Sequence, residues 1–306
     1  MNLPTAIPFR PAARPNVIPL PQREPTRSAL LVGINYNGAN QLRGCVEDAK
    51  RMEALLVGSF GLKADKLIRL RDKDATRKNI LAGIAKLAEK PADYVHFVYS
   101  GHGTYLPDRN GEEDDSRDEC LVPWDYSSQG LILDDELWQM WRLFPSTTTI
   151  FLHMDCCHSA TVARGFTLTA AKQWAKKVLR QEKPRFLPAA SLSPRIIEMT
   201  RAGSAGTKAA VRAVATTPVG SDPVATIVSL SGCQDWQTSA DARIGGTWCG
   251  AMTNYFLEAA KVAGRNWKEV HAETERLLRV NGYPQIPALY SFNSPDEAAL
   301  NKKLFQ

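Results

Sequence analysis

Short apolar runs, each followed by a stretch with helical apolar spacing, are the feature that most constrains this chain. Ala29 to Ile34 is nearly continuous in apolar residues, and Val46, Ala49, Met52, Leu55 and Leu56 follow at helical spacing. Leu67 to Leu70 is a second run, with Ile80, Ile84 and Leu87 marking a helix capped by Asp74 or Thr76. Tyr94 to Tyr99 is a third, then come a helix from Asp134 to about Phe144 and a fourth run from Thr148 to Met154. Runs this short and this apolar suit strands buried on both faces. Their alternation with helices predicts an α/β chain with a mostly parallel central sheet flanked by helices on both faces. In such sheets chemistry lies beyond the carboxyl ends of the strands. Two of these strands run into Ser100-Gly-His-Gly103 and Asp155-Cys-Cys-His158, which puts His102 and Cys157 at neighbouring ends.

Charge and composition narrow the class. The chain has 306 residues and a net charge of +6. Residues 1–27 carry +3 and seven prolines, residues 164–222 carry +8, and the remainder is mildly acidic. We read 1–27 as a proline-rich flexible tail and 164–223 as a basic flexible linker, because proline, glycine and charge dominate both. The ordered parts are then 28–163 and 224–306, with strand Val224–Leu230, helices near 248–263 and 266–281, and a last strand from Ile286 to Tyr290. A nucleic-acid binder carries its basic stripe on a folded face, whereas here the basic residues lie in the linker-like parts. No stretch approaches the ~20 apolar residues of a membrane helix. With no secretory signal, six cysteines imply reduced thiols, and the expected location is cytoplasmic.

Several chemistries can bring cysteine and histidine to neighbouring strand ends. A cysteine phosphatase needs C-x5-R, but counting from Cys157 Arg164 falls one residue too far. The tandem Cys156-Cys157 lacks the C-x2–4-C separation of a zinc site. No G-x4-G-K-[ST] occurs. Thiol hydrolysis survives best: a thiolate attacks a carbonyl while histidine handles protons. Adjacent strand-end residues face opposite ways, so only one of the two cysteines faces the cleft.

The motifs Tyr99-Ser-Gly-His-Gly103 and Asp155-Cys-Cys-His-Ser159 resemble those of the caspase-like cysteine peptidases, specifically metacaspases and prokaryotic orthocaspases. Leu42-Arg-Gly-Cys-Val-Glu-Asp-Ala49, Asp118-Glu-Cys-Leu-Val-Pro-Trp-Asp125 and Ser231-Gly-Cys-Gln-Asp-Trp-Gln-Thr-Ser-Ala-Asp241 extend the likeness in the family's order. The resemblance implies a caspase-hemoglobinase-like fold, with 28–163 as the large-subunit-like part and 224–306 as the small. It implies His102 as catalytic histidine, Cys157 as nucleophile, and the backbone N–H groups of Gly103 and Cys157 as an oxyanion hole. It further implies an acidic pocket for Arg or Lys before the scissile bond, formed by Cys45, Asp48, Ser100 and Asp155.

The same resemblance makes the basic residues of the linker candidate self-cleavage sites: Lys172, Lys176, Lys177, Arg180, Lys183, Arg185, Arg195, Arg201, Lys208 and Arg212. In calcium-dependent members the ligands resemble Asp118, Asp134 and Asp135 plus an aspartate soon after the nucleophile, near which this chain has Arg164. A cation there opposes metal, so this reading requires no cofactor and keeps Ca2+ as the one candidate. Asp134 and Asp135 also suit a helix N-terminus. The expected partners are proteins or peptides with basic residues before the cut, with no nucleic acid and no membrane, acted on by a monomer. The competing class is a catalytically silent caspase-like scaffold.

Overall fold

The apolar run that begins at Ala29 becomes β1 (Arg27–Gly33), and Ala29–Val32 are at most 2% exposed. The computed structural model describes residues 23–107, 117–157, 182–215, 222–233 and 237–304. The elements α1 (Cys45–Phe60), β2 (Leu67–Arg71), α2 (Arg77–Glu89) and β3 (Tyr94–Ser100) follow in the alternation the sequence predicts. Of the two capping residues considered for α2, Thr76 takes the role: its hydroxyl accepts the Asn79 N–H. A small antiparallel sheet of β4 (Gly103–Pro107), β5 (Arg117–Leu121) and β6 (Ile132–Leu133) comes next, with α3 (Tyr126–Gln129) between the last two strands. Then come α4 (Asp134–Trp141) and β7 (Thr149–Asp155).

The rest of the described chain contributes β8 (Lys183–Pro184), α5 (Pro194–Val214), β9 (Thr226–Ser231), β10 (Ala240–Ile244) and β11 (Thr247–Gly250). It ends with α6 (Ala251–Ala260), α7 (Trp267–Val280) and β12 (Ala288–Phe292). The main sheet has the order β12-β9-β7-β3-β1-β2 and is parallel except for β12. One face packs on α1, α6 and α7 through Met52, Leu56, Met252, Phe256 and Trp267. The other packs on α2 and α4 through Ile80, Ile84, Leu137 and Trp141. The register sets Gly33, Ser100 and Asp155 side by side at the carboxyl ends of β1, β3 and β7. No helix among the described residues is long and apolar enough to cross a membrane.

The expectation of a flexible linker over 164–223 does not hold between 183 and 214. Strand β8 joins β10 and β11 in a third sheet, and α5 is 21 residues long. The helix begins with Ser193 accepting the Ile196 N–H and with Pro194 in its first turn, a position that needs no N–H. Its buried stripe is Ile196, Thr200, Ser204 and Val211. The small residues that read as linker are what let it pack: a side chain on Gly203 would press on the Arg77 guanidinium. The tail to residue 22, the acidic loop 108–116 and the expected helix from Thr169 to Gln181 lie outside the described residues.

Candidate active site

Leaving β7, the chain divides its two cysteines between opposite surroundings. Cys156 turns into the hydrophobic core, 1% exposed, and burial pushes its thiol well above the usual range. Cys157 lies on the other side, in contact with a separate cluster of Phe186 and Cys233, and its sulfur accepts the Ser239 N–H. His102 follows β3 by two residues and is pinned by its backbone. Its N–H donates to the Tyr36 hydroxyl at 3.1 Å, and its carbonyl accepts from Tyr99 at 2.7 Å and from the Val122 N–H at 3.2 Å. On the ring, Nε2 lies 2.7 Å from the Asn40 carbonyl, while Nδ1 is buried with no hydrogen-bond partner among the described residues. A carbonyl can only accept, so Nε2 carries the hydrogen and Nδ1 keeps a lone pair. Burial lowers the ring's pKa to about 4, so it is neutral at pH 7.

Two backbone N–H groups converge beside the thiol. Those of Gly103 and Cys157 donate to one oxygen, the carbonyl of Arg185, at 3.0 and 3.2 Å. A side chain on Gly103 would collide with the Cys157 backbone, so glycine alone permits this approach. The segment that supplies the oxygen lies extended through the cleft. Lys183 and Pro184 pair antiparallel with Asp241 and Ala240, and the Arg185 N–H reaches the Ser239 carbonyl at 3.0 Å. Past the carbonyl, the Leu187 N–H donates to Gly103 at 2.9 Å.

The Arg185 side chain is fully buried among three carboxylates. Its Nη2 lies 2.6 Å from Asp48 and 3.0 Å from Asp241, and its Nη1 lies 2.7 Å from the Ser100 hydroxyl and 3.3 Å from Asp155. Burial pushes Asp48 up to about 6 against the pull of Arg185. Burial also works against the Asp155 carboxylate, but the Arg185 charge and the Ser239 and Thr253 hydroxyls outweigh it and lower its pKa. The Gly250 N–H donates to Asp48 at 3.0 Å, and a side chain there would run into Asp155 and the guanidinium. Cys45, fully buried at the start of α1, feels the Arg185 charge, but burial raises its thiol well above the usual range.

The Metacaspase, peptidase C14 domain model matches residues 27–164. Metacaspase-1 of Yarrowia lipolytica is 34% identical over 292 residues, covering 88% of this chain and 62% of that protein. Metacaspase-1 of Meyerozyma guilliermondii is 31% identical over 294 residues, covering 88% of this chain and 70% of the relative. The chain belongs to the metacaspase family. It spans about two thirds of the length of these two relatives, 62% and 70%. The crystal structure of protein GSU0716 from Geobacter sulfurreducens aligns with a TM-score of 0.66 and 27% identity, covering 92% of this chain and 98% of that one. The stretch matched by the metacaspase model holds His102, Cys157, Asp48, Ser100 and Asp155.

Arg185 and Asp241 lie beyond that stretch. Asp241 is a pocket carboxylate that sequence reading did not assign, although it closes the fifth motif. Its two oxygens also accept the N–H groups of Arg43 and Gly44, which tie the loop before α1 to β10. Asp241 is fully buried in β10, a strand that the sequence analysis did not predict. The expected metal ligands sit elsewhere, at β5 and the start of α4, and Asp135 pairs with Lys208 of α5 at 3.0 Å. No group of three His, Cys, Asp or Glu side chains among the described residues could hold a metal ion. His153 bonds the Thr253 hydroxyl, His96 stacks on Phe151, and His271 reaches the Pro287 carbonyl.

Proposed function

We propose that this metacaspase-family chain is a cysteine endopeptidase that cuts after Arg or Lys and that its own Arg185–Phe186 bond is a substrate. One observation carries the reading: a carbonyl held by two N–H groups beside a thiol belongs to the same residue whose side chain fills a pocket of carboxylates. In the proposed reaction Nδ1 of His102 takes the Cys157 proton as sulfur bonds to the Arg185 carbonyl carbon. The oxygen gains negative charge against the Gly103 and Cys157 N–H groups, and losing one such donor typically costs about 3 kcal/mol of transition-state stabilisation. Collapse breaks the peptide bond, His102 returns the proton to the Phe186 amine, and a thioester remains. Water, deprotonated by the same ring, then releases the Arg185 carboxylate.

The pocket supports the choice of cation. Each charge-assisted bond to the guanidinium contributes roughly 1.5–3 kcal/mol, whereas an aspartate there would add a fourth negative charge. The test is hydrolysis of peptidyl-Arg, peptidyl-Lys and peptidyl-Asp substrates by wild type, Cys157→Ala and Cys156→Ala. The expected result is cleavage of the basic substrates only, lost in Cys157→Ala and largely kept in Cys156→Ala. Cleavage by Cys157→Ala would reassign the nucleophile, and efficient cleavage after Asp would discard the pocket.

A further inference from the structure

The threaded segment is unevenly buried about the bond in the cleft. Lys183 and Pro184, before Arg185, are exposed side chains on a strand paired with β10, and the Lys183 tip donates to the Gln41 carbonyl at 3.1 Å. Phe186 and Leu187, after it, are 8% and 1% exposed. Phe186 pairs with Gly103 through a parallel bridge and packs in one cluster with Cys157 and Cys233. The Tyr105 ring closes that cluster, stacked with its centroid 6.2 Å from that of Phe186. Tyr105 is on β4, the strand that begins at Gly103, so one short strand supplies both an N–H to the carbonyl and a wall for the next side chain.

We infer that Tyr105 and Cys233 form a subsite for a large apolar residue immediately after the scissile bond. Beyond the basic residue itself, selectivity therefore lies after the cut and not before it. Burial of a large apolar side chain is favourable in proportion to the apolar surface removed from water, whereas exposed positions contribute little. Glycine after the basic residue forgoes that burial, and aspartate would carry an unpaired charge into an apolar contact next to the sulfur. The inference rests on the reading of Cys157 as a nucleophile that cuts after Arg.

Internally quenched peptides Lys-Pro-Arg-X-Leu with X as Phe, Leu, Gly or Asp test it. They are given to Arg185→Ala protein, whose own segment has lost its anchoring side chain, and to wild type. The expected result is a kcat/KM ten- to a hundredfold higher for Phe than for Gly, with Leu close to Phe and Asp lowest. Exchanging Lys-Pro for Ala-Ala should change the rate less than threefold. Tyr105→Ala should bring the Phe-to-Gly ratio towards one. Equal rates for all four peptides would overturn the subsite and leave cleavage after Arg standing. If neither protein cut any of the peptides, the reading beneath the inference would fall instead.

Discussion

Two arginines in this molecule, half-buried Arg77 and fully buried Arg185, make opposite use of the same cation. Arg77, at the start of α2, pairs with one carboxylate, Glu136 of α4, at 2.5 Å, and gives its Nε to the Leu131 carbonyl at 3.1 Å. That site balances charge, one for one, and α5 lies over it with Gly203 against the guanidinium. Arg185 sits among three carboxylates, Asp48, Asp155 and Asp241. The first arrangement is a resident ion pair that joins helices. The second has an excess of negative charge that no single side chain cancels, and it lies beside a thiol and two convergent N–H groups. The difference teaches how a pocket with excess negative charge, in the proposed reading, suits a cation that comes and goes.

Exchange of the cation separates the two sites most strongly. Arg77→Ala leaves Glu136 buried without its charge partner, a change that typically costs about 3–5 kcal/mol. Arg185→Ala should cost less, because its segment can leave and let water reach the carboxylates. Agmatine should then raise the Tm of Arg185→Ala and not that of Arg77→Ala. Equal losses with no rescue in either variant would erase the distinction.

Removing single acids sharpens the contrast. Asp241→Asn should lower kcat/KM for peptidyl-Arg substrates ten- to a hundredfold, the worth of one charge-assisted bond at roughly 1.5–3 kcal/mol. Glu136→Gln should reduce the denaturation midpoint and leave kcat/KM for the same substrate within twofold. A kinetic effect from Glu136→Gln as large as that from Asp241→Asn would break the comparison.

The smallest effect concerns acid. Burial depresses His96, His102 and His153 to about 3, 4 and 4. Their neutral forms thus stabilise the fold above the unfolded pKa of about 6.5, and that contribution fades as pH falls below it. Asp48 opposes them: its folded pKa of about 6 exceeds the unfolded value, so stability is regained as pH drops from 6 towards 4. Unfolding free energies at pH 7, 6 and 5 should fall with acid, and more steeply in Asp48→Asn, by at most about 1.4 kcal/mol per pH unit. A shallower slope in that variant would contradict the assignment.

Much of the site was legible because it depends on strand ends. Apolar runs that terminate in Ser100-Gly101-His102 and Asp155-Cys156-Cys157 locate the candidate histidine and cysteine, and register alone brings Ser100 beside Asp155. What stayed hidden depends on contacts far apart in the chain. Helix α5 was masked by its own Gly203-Ser-Ala-Gly206 stretch, whose small residues read as flexibility until Arg77 is seen against Gly203. Arg185 was one of eleven basic residues in a presumed linker, and only the pairing of β8 with β10 distinguishes it. Asp241 shared that fate, since its partners Arg43 and Gly44 lie almost two hundred residues away.

Mass spectrometry of purified wild-type and Cys157→Ala protein tests the central claim most directly. The account predicts a wild-type fragment beginning Phe186-Leu-Pro-Ala, and an intact chain in the variant. A wild-type chain that stays whole, or is cut elsewhere in 164–223 with Arg185–Phe186 untouched, would contradict it.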